Sequence, residues 1–188
     1  MDISLRDLLT IIHGMGFIAL FMLAFSGAIW ELHSVWSAAH QETPDSGSRI
    51  MLRVYLIGMV AVAWFTVLSG TYIIYPWYRA VPPAGLIDLT AFPRSLLLSS
   101  PHTRGWHNLG MEWKEQVAWF APIAMTMVAY VYWKYRRGMS SHGVMRATVL
   151  GFTAAAFIAT GVAGAFGVFL NKVAPVHGGE SIHLMRGE

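Results

Sequence analysis

The side chains best suited to chemistry lie in the segment 106–115, which reads Trp-His-Asn-Leu-Gly-Met-Glu-Trp-Lys-Glu. It directly precedes an apolar stretch, Val117 to Trp133, that predicts the core of a membrane-spanning helix. Ionisable side chains beside a hydrocarbon span are costly unless they are paired or bind a ligand. The segment is therefore predicted to be a functional site, with Glu112 and Glu115 as candidate catalytic proton acceptors.

The composition is that of a membrane protein. Of the 188 residues, 55% are hydrophobic and 12% are charged, whereas a soluble domain carries about 25% charged residues. The net charge of +3 is explained by cations at the ends of apolar stretches, so anionic lipid is an expected partner and nucleic acid is not. The absence of cysteine excludes thiolate-bound zinc, cysteine-ligated iron–sulfur clusters and covalently attached c-type haem.

Four apolar stretches predict four membrane-spanning helices, because about 20 residues of helix cross the hydrocarbon core. The predicted fold class is all-α: an integral membrane, up-down-up-down four-helix bundle that forms a single membrane domain over residues 1–188. The predicted spans are TM1 (about 8–36), TM2 (about 52–77), TM3 (about 111–135) and TM4 (about 144–170).

The longest connection, 79–107, is rich in proline and joins TM2 to TM3. Its apolar residues predict that it folds back over the bundle as a cap. Pro122 is predicted to kink TM3, because proline cannot donate a helical hydrogen bond.

The distribution of cations predicts how the protein lies in the membrane. The connection between TM3 and TM4 carries Lys134, Arg136, Arg137 and Arg146 without an acidic residue, which favours a cytoplasmic position. Both termini and the long loop then face outward, and a bacterial inner membrane is the expected location.

His13 is the histidine that lies deepest within a predicted span, and Gly14 and Gly16 follow it closely. TM1 and TM3 begin on the same side of an up-down-up-down bundle, so His13 approaches the level of His107. The pattern leaves open whether each imidazole binds a cofactor or is only hydrogen-bonded. His33 is 20 positions from His13, about 30 Å along a helix, so it belongs to the opposite surface.

Two inward imidazoles from non-adjacent helices at one depth are typical of a b-type haem site. The glycines leave room for a flat macrocycle. Arginine side chains at the mouth of the bundle suit the haem propionates, and the candidates are Arg79, Arg94 and Arg104. Lys114 is predicted to point away from this site and to anchor the helix at the lipid headgroups.

The layout resembles that of small four-helix membrane proteins of the HemJ-type protoporphyrinogen oxidases and of related copper-resistance-like membrane domains. The matching positions are His13 early in TM1, Gly70 in Leu68-Ser69-Gly70 near the end of TM2, and the cluster Trp106 to Lys114 at the start of TM3. The resemblance covers the first three spans. It implies binding of haem b, with Gly70 in the cofactor site, and more weakly a porphyrinogen substrate.

Three functional interpretations are compatible with these features. The first is a b-type haem protein that transfers electrons between a quinone and a redox partner complex, with His13 and His107 as iron ligands. The second is a haem-free accessory subunit of a larger membrane complex. The third is a metalloenzyme whose metal is bound by His13, His107, Glu112 and Glu115. The first is preferred because a haem would account for the histidines, glycines and arginines together.

The remaining candidate ligands are assigned ordinary roles. Glu31, His33, His40 and His142 could form a second site at the opposite surface, but their spacing favours solvated or interfacial side chains. Most of the eleven methionines lie within spans, where methionine is ordinary packing and not a copper ligand.

Overall fold

The computed structural model describes residues 2–37, 46–135 and 142–183, and these are mostly helical. Within the described ranges two short strands, β1 (Asp2–Ser4) and β2 (Ser181–His183), accompany the helices. The α-helices are α1 (Leu5–Ile11), α2 (Ala19–Ser37), α3 (Ser46–Ser69), α4 (Tyr75–Tyr78), α5 (Pro93–Ser99), α6 (Pro101–Gly105), α7 (Glu112–Gln116), α8 (Phe120–Tyr135) and α9 (Gly143–Val173).

These helices join end to end into four columns. Column 1 contains α1 and α2, column 2 contains α3 and α4, column 3 contains α6, α7 and α8, and column 4 is α9. Columns 1, 2 and 3 are each interrupted by one π-helical segment, at Ile12–Ile18, Gly70–Ile74 and Trp106–Met111 respectively. Each column packs against the next, and column 4 packs back against column 1.

Three of the columns contain a helix that is long and apolar enough to cross a membrane: Leu5–Trp30, Ile50–Tyr78 and Gly143–Val173. Column 3 differs because its helix is broken at Val117–Trp119 by a 3-10 turn. The uninterrupted part after the turn, α8, has 16 residues. The helical fold and three candidate spans are thus confirmed, and a fourth crossing by column 3 remains a prediction.

The predicted loop 79–107 is shorter than expected. Only 79–92 lacks helix, and α5 and α6 begin at Pro93 and Pro101. Proline is favoured at the first position of a helix, because its fixed φ is helical and no hydrogen bond is lost there. The prolines that suggested a loop therefore mark two helix starts.

The helix of column 3 is broken three to five residues before Pro122, where the ring of a proline clashes with the preceding turn. Pro122 is the third residue of α8, where a missing N–H costs no helical hydrogen bond. Its carbonyl accepts a hydrogen bond of 2.7 Å from the Thr126 hydroxyl. The break lies just before it, at the 3-10 turn.

The main core fills the middle of the bundle, where Phe21, Leu56, Met125 and Val128 are almost fully buried. Column 4 contributes small residues to this packing. A side chain of column 1 lies against Gly161 and another against Gly164. Small residues let neighbouring helices approach closely.

The two ends of the described chain meet. Strands β1 and β2 pair antiparallel, with Ile3 opposite Ile182, and the Asp7 carboxylate lies 3.2 Å from Nδ1 of His177. We call this the terminal end of the bundle, and we call the end that carries the 135–142 connection the basic end. The meeting of the two ends agrees with an even number of antiparallel columns.

Candidate functional site

The three π-helical segments hold the residues that the sequence had singled out. His13 lies in the first, Gly70 in the second and His107 in the third. A π-turn widens the helix locally, and such turns occur frequently at functional sites. All three segments lie in the half of the bundle nearer the terminal end.

His13 is buried, with 8% of its surface exposed. Its Nδ1 lies 2.9 Å from Oγ of Ser69 in column 2. The Ser69 hydroxyl donates its own hydrogen to the Thr66 carbonyl at 3.1 Å, so it accepts from the imidazole. Nδ1 therefore carries the proton and Nε2 keeps its lone pair, which is the form in which an imidazole binds a metal.

Gly70 allows the imidazole to approach column 2 this closely. A Cβ atom added at Gly70 would lie 2.8 Å from Cε1 of His13 and 3.3 Å from Nε2. Real Cβ atoms do not approach other atoms so closely. The two positions that the resemblance grouped together are thus in contact, and the ring occupies the space that glycine leaves.

Lys114 does not point toward lipid headgroups, so the prediction made for it was wrong. Its Nζ lies against column 4, 3.2 Å from the position that a Cβ atom on Gly167 would take. The ammonium is also close enough to His13 for an electrostatic interaction. Within the described ranges no hydrogen bond or ion pair joins this ammonium to a protein acceptor. Lys114 is partly buried, and burying a charge is costly unless it is paired.

A second group of side chains lies closer to the terminal end. We call Tyr75, Tyr78 and His107 the aromatic cluster. The Tyr78 hydroxyl lies 2.7 Å from Nδ1 of His107, and the two rings stack with centroids 6.0 Å apart. Tyr75 stacks on the other side of Tyr78 at 6.4 Å. Tyr78 is buried and His107 is partly buried.

Charged side chains surround the aromatic cluster. The Arg79 guanidinium lies over the ring of Tyr75, 5.3 Å from its centroid, and Glu115 also interacts with Tyr75. Burial and the nearby Arg94 guanidinium lower the pKa of His107, and the carboxylate of Glu115 partly offsets this shift. The neutral imidazole is therefore favoured.

Arg104 lies outside this group of contacts, and Glu112 reaches it through an electrostatic interaction with His107 that is weaker than that of Glu115. Arg104 is exposed, and its guanidinium donates to the Leu98 carbonyl at 3.2 Å. Glu112 is exposed and accepts a hydrogen bond of 3.3 Å from Gln116. The contacts favour Arg79 and Arg94 over Arg104, and Glu115 over Glu112.

In the structure His13 and His107 have separate hydrogen-bond partners. His13 is bonded to Ser69 and His107 to Tyr78, and these partners are nine positions apart in column 2. The shared depth of the two imidazoles and their binding to one iron therefore stay predictions.

Within the part of the chain that the structure describes, no group of three His, Asp or Glu side chains is arranged to hold a metal ion. His33, His102 and His142 are exposed, in keeping with surface roles. His40 lies outside the described residues, as does the side chain of Glu31.

Two partners of the imidazoles were missed from sequence, Ser69 and Tyr78. Ser69 stands directly before Gly70, so the same short string that carried the resemblance also contained the hydrogen-bond acceptor. Tyr78 stands just after the predicted TM2, where a tyrosine commonly lies at the membrane surface. No periodicity distinguishes a tyrosine that faces lipid from one that faces a neighbouring helix.

The chain matches no protein-family model, and no curated protein or solved structure is detectably similar to it. The resemblance to the HemJ-type layout therefore rests on the positions of His13, Gly70 and the segment 106–114 alone.

Proposed function

We propose that this chain is a membrane-embedded b-type haem protein that transfers electrons, together with a quinone and a redox partner complex. In this proposal His13 is the only histidine on the haem iron. His107, which is already bonded to Tyr78, is assigned to the aromatic cluster instead.

One observation carries the proposal: the His13 imidazole is buried and its Nδ1 lies within hydrogen-bond distance of Ser69, with the Thr66 backbone also interacting with the ring. With the proton on Nδ1, Nε2 offers its lone pair to a metal. A histidine that binds a metal almost always donates its other N–H to an oxygen atom, which fixes its tautomer and orientation. Ser69 supplies that oxygen.

The charge of Lys114 would also suit a haem. A partly buried ammonium is stabilised by a counter-charge or by the loss of its proton. A bound haem offers both, because its carboxylates pair with an ammonium and its iron accepts a neutral amine. When bound, the haem would supply one-electron redox chemistry.

The aromatic cluster has a separate role in this proposal. It lies between the His13 region and the terminal end, and the Glu115 carboxylate borders it beside Tyr75. Oxidation of a quinol releases protons as well as electrons. We assign the proton acceptor to Glu115, and the guanidinium groups of Arg79 and Arg94 to a carboxylate of the haem or to the quinone headgroup.

Histidine variants of the full chain, purified in detergent, test the proposal. Absorption spectra recorded before and after dithionite should show a Soret band in the wild type, in His107→Ala and in the surface control His102→Ala. The band should be lost in His13→Ala. A Soret band that survives in His13→Ala but not in His107→Ala would refute the assignment.

A haem-free accessory subunit is the second candidate. It is favoured by the fact that His107 is already bonded to Tyr78 and stacked on it, as expected of an imidazole with a purely structural role. This candidate predicts that the wild-type protein lacks a Soret band, even when it is expressed with added haem precursor.

A further inference from the structure

An open groove lies between α8 and α9 at the basic end of the bundle, far from His13. It has a volume of about 570 Å³. Its lining is almost entirely apolar and includes Met127, Val128 and Val131 from α8 and Val149 and Phe152 from α9. The Thr148 hydroxyl in this lining donates to the Val144 carbonyl at 2.9 Å, so it offers no free polar group.

The groove has the length and direction of a lipid chain. It extends from Tyr135 to Met127 on α8, which are eight positions apart, and from Val144 to Phe152 on α9, also eight. Eight residues of helix correspond to about 12 Å. The groove therefore follows the helices from the surface of the bundle into the depth of the hydrocarbon layer. Val128 and Val149 form its buried floor.

Two cations lie beside residues at the entrance of the groove, although neither is part of its lining. Lys134 is exposed, and its ammonium lies over the rings of Tyr130 and Tyr135, at 5.5 and 5.4 Å from their centroids. This position is typical of a lysine at the headgroup level. The Arg146 guanidinium lies near Gly143 at the start of α9. The sequence from Val117 to Gly179 contains no acidic residue.

We propose that this groove binds one acyl chain of an anionic phospholipid, with the phosphate of its headgroup at Lys134 and Arg146. The apolar lining fits a hydrocarbon chain and offers it no hydrogen-bond partner. The two cations match an anionic headgroup, whereas a neutral lipid or an isoprenoid quinone offers them no net negative charge. This binding site is independent of the haem site.

Native mass spectrometry of the full chain, with dioleoyl phosphatidylglycerol or dioleoyl phosphatidylcholine added, measures the affinity for each lipid. Phosphatidylglycerol should bind more tightly. Lys134→Gln and Arg146→Gln should each weaken its binding about fivefold, because a cation near the headgroup contributes about that factor. Lys172→Gln makes the same charge change on the far end of α9 and should leave the affinity unchanged.

A second pair of variants tests the groove itself. Val131→Phe and Thr148→Phe each place a ring in the groove from a different helix, and either should reduce the binding of both lipids. The proposal is overturned if the two lipids bind equally, if no lipid binds, or if Lys172→Gln weakens binding as much as Lys134→Gln. It is also overturned if both ring variants fold and bind phosphatidylglycerol like the wild type.

Discussion

Replacing Gly70 with alanine adds one methyl group at the point where His13 touches column 2. The new Cβ would lie 2.8 Å from Cε1 of His13, and an ordinary contact begins at 3.4 Å. The His13 ring must therefore move away by about 0.6 Å, because the backbone of column 2 at Gly70 is closely packed and does not move. If it moves directly away from column 2, its bond to Ser69 lengthens from 2.9 Å to about 3.5 Å, the limit of a hydrogen bond.

Two effects on stability oppose each other in Gly70→Ala. Overpacking costs about 1–3 kcal/mol, and alanine gains up to about 1 kcal/mol over glycine within a helix. The net effect on the free energy of unfolding is thus small or unfavourable. The effect on haem is larger, because the loss of an orienting hydrogen bond typically weakens metal binding about 10-fold or more.

The assay compares Gly70→Ala with Gly58→Ala in the same column, where an added Cβ would meet nothing within 4 Å. Thermal unfolding in detergent and the ratio of Soret to protein absorbance are measured for both. Gly58→Ala should unfold at the wild-type temperature or above it and keep its haem. If Gly70→Ala behaves like Gly58→Ala in both measurements, the contact between His13 and column 2 is not as described.

Two predictions concern the aromatic cluster. Tyr78→Phe removes the hydrogen-bond partner of His107 and should lower the free energy of unfolding by about 1 kcal/mol. Chemical denaturation measures this change. An unchanged free energy of unfolding would mean that the hydrogen bond is not formed. The lowered pKa of His107 predicts that stability falls as the pH drops below about 6.5, because the unfolded histidine takes up a proton that the folded one resists. Above that pH His107 is neutral in both the folded and the unfolded protein, so it does not make the stability depend on pH. In His107→Gln the loss of stability at low pH should be smaller than in the wild type. If the free energy of unfolding depends on pH in the same way in both proteins, His107 is not the cause of the loss.

Much of the fold was predictable because lipid solvation imposes long apolar helices. The length of the apolar stretches placed columns 1, 2 and 4 to within a few residues. Column 3 was harder, since its helix is broken at Val117–Trp119 by local geometry that hydropathy does not detect. Pro93 and Pro101 indicated a loop in the sequence, although the same residue type also begins helices.

The candidate site was only partly predictable. His13 and Gly70 were selected as separate features, and the structure shows why they belong together: the imidazole fills the space beside the glycine. The direction of Lys114 could not be read from its sequence position, because a π-helical segment ends three residues before it and changes the angular register of the residues after it. Because His107 lies within the same π-helical segment, its depth relative to His13 could not be calculated from residue numbers.

The central claim is that this bundle holds a haem b at His13. A pyridine haemochrome assay on the detergent-purified wild-type chain, combined with a protein determination, measures the number of haems per chain directly. The account predicts a b-type spectrum with about one haem per chain. Less than about a tenth of a haem per chain, after expression with added haem precursor, would contradict it and leave the accessory subunit as the better description.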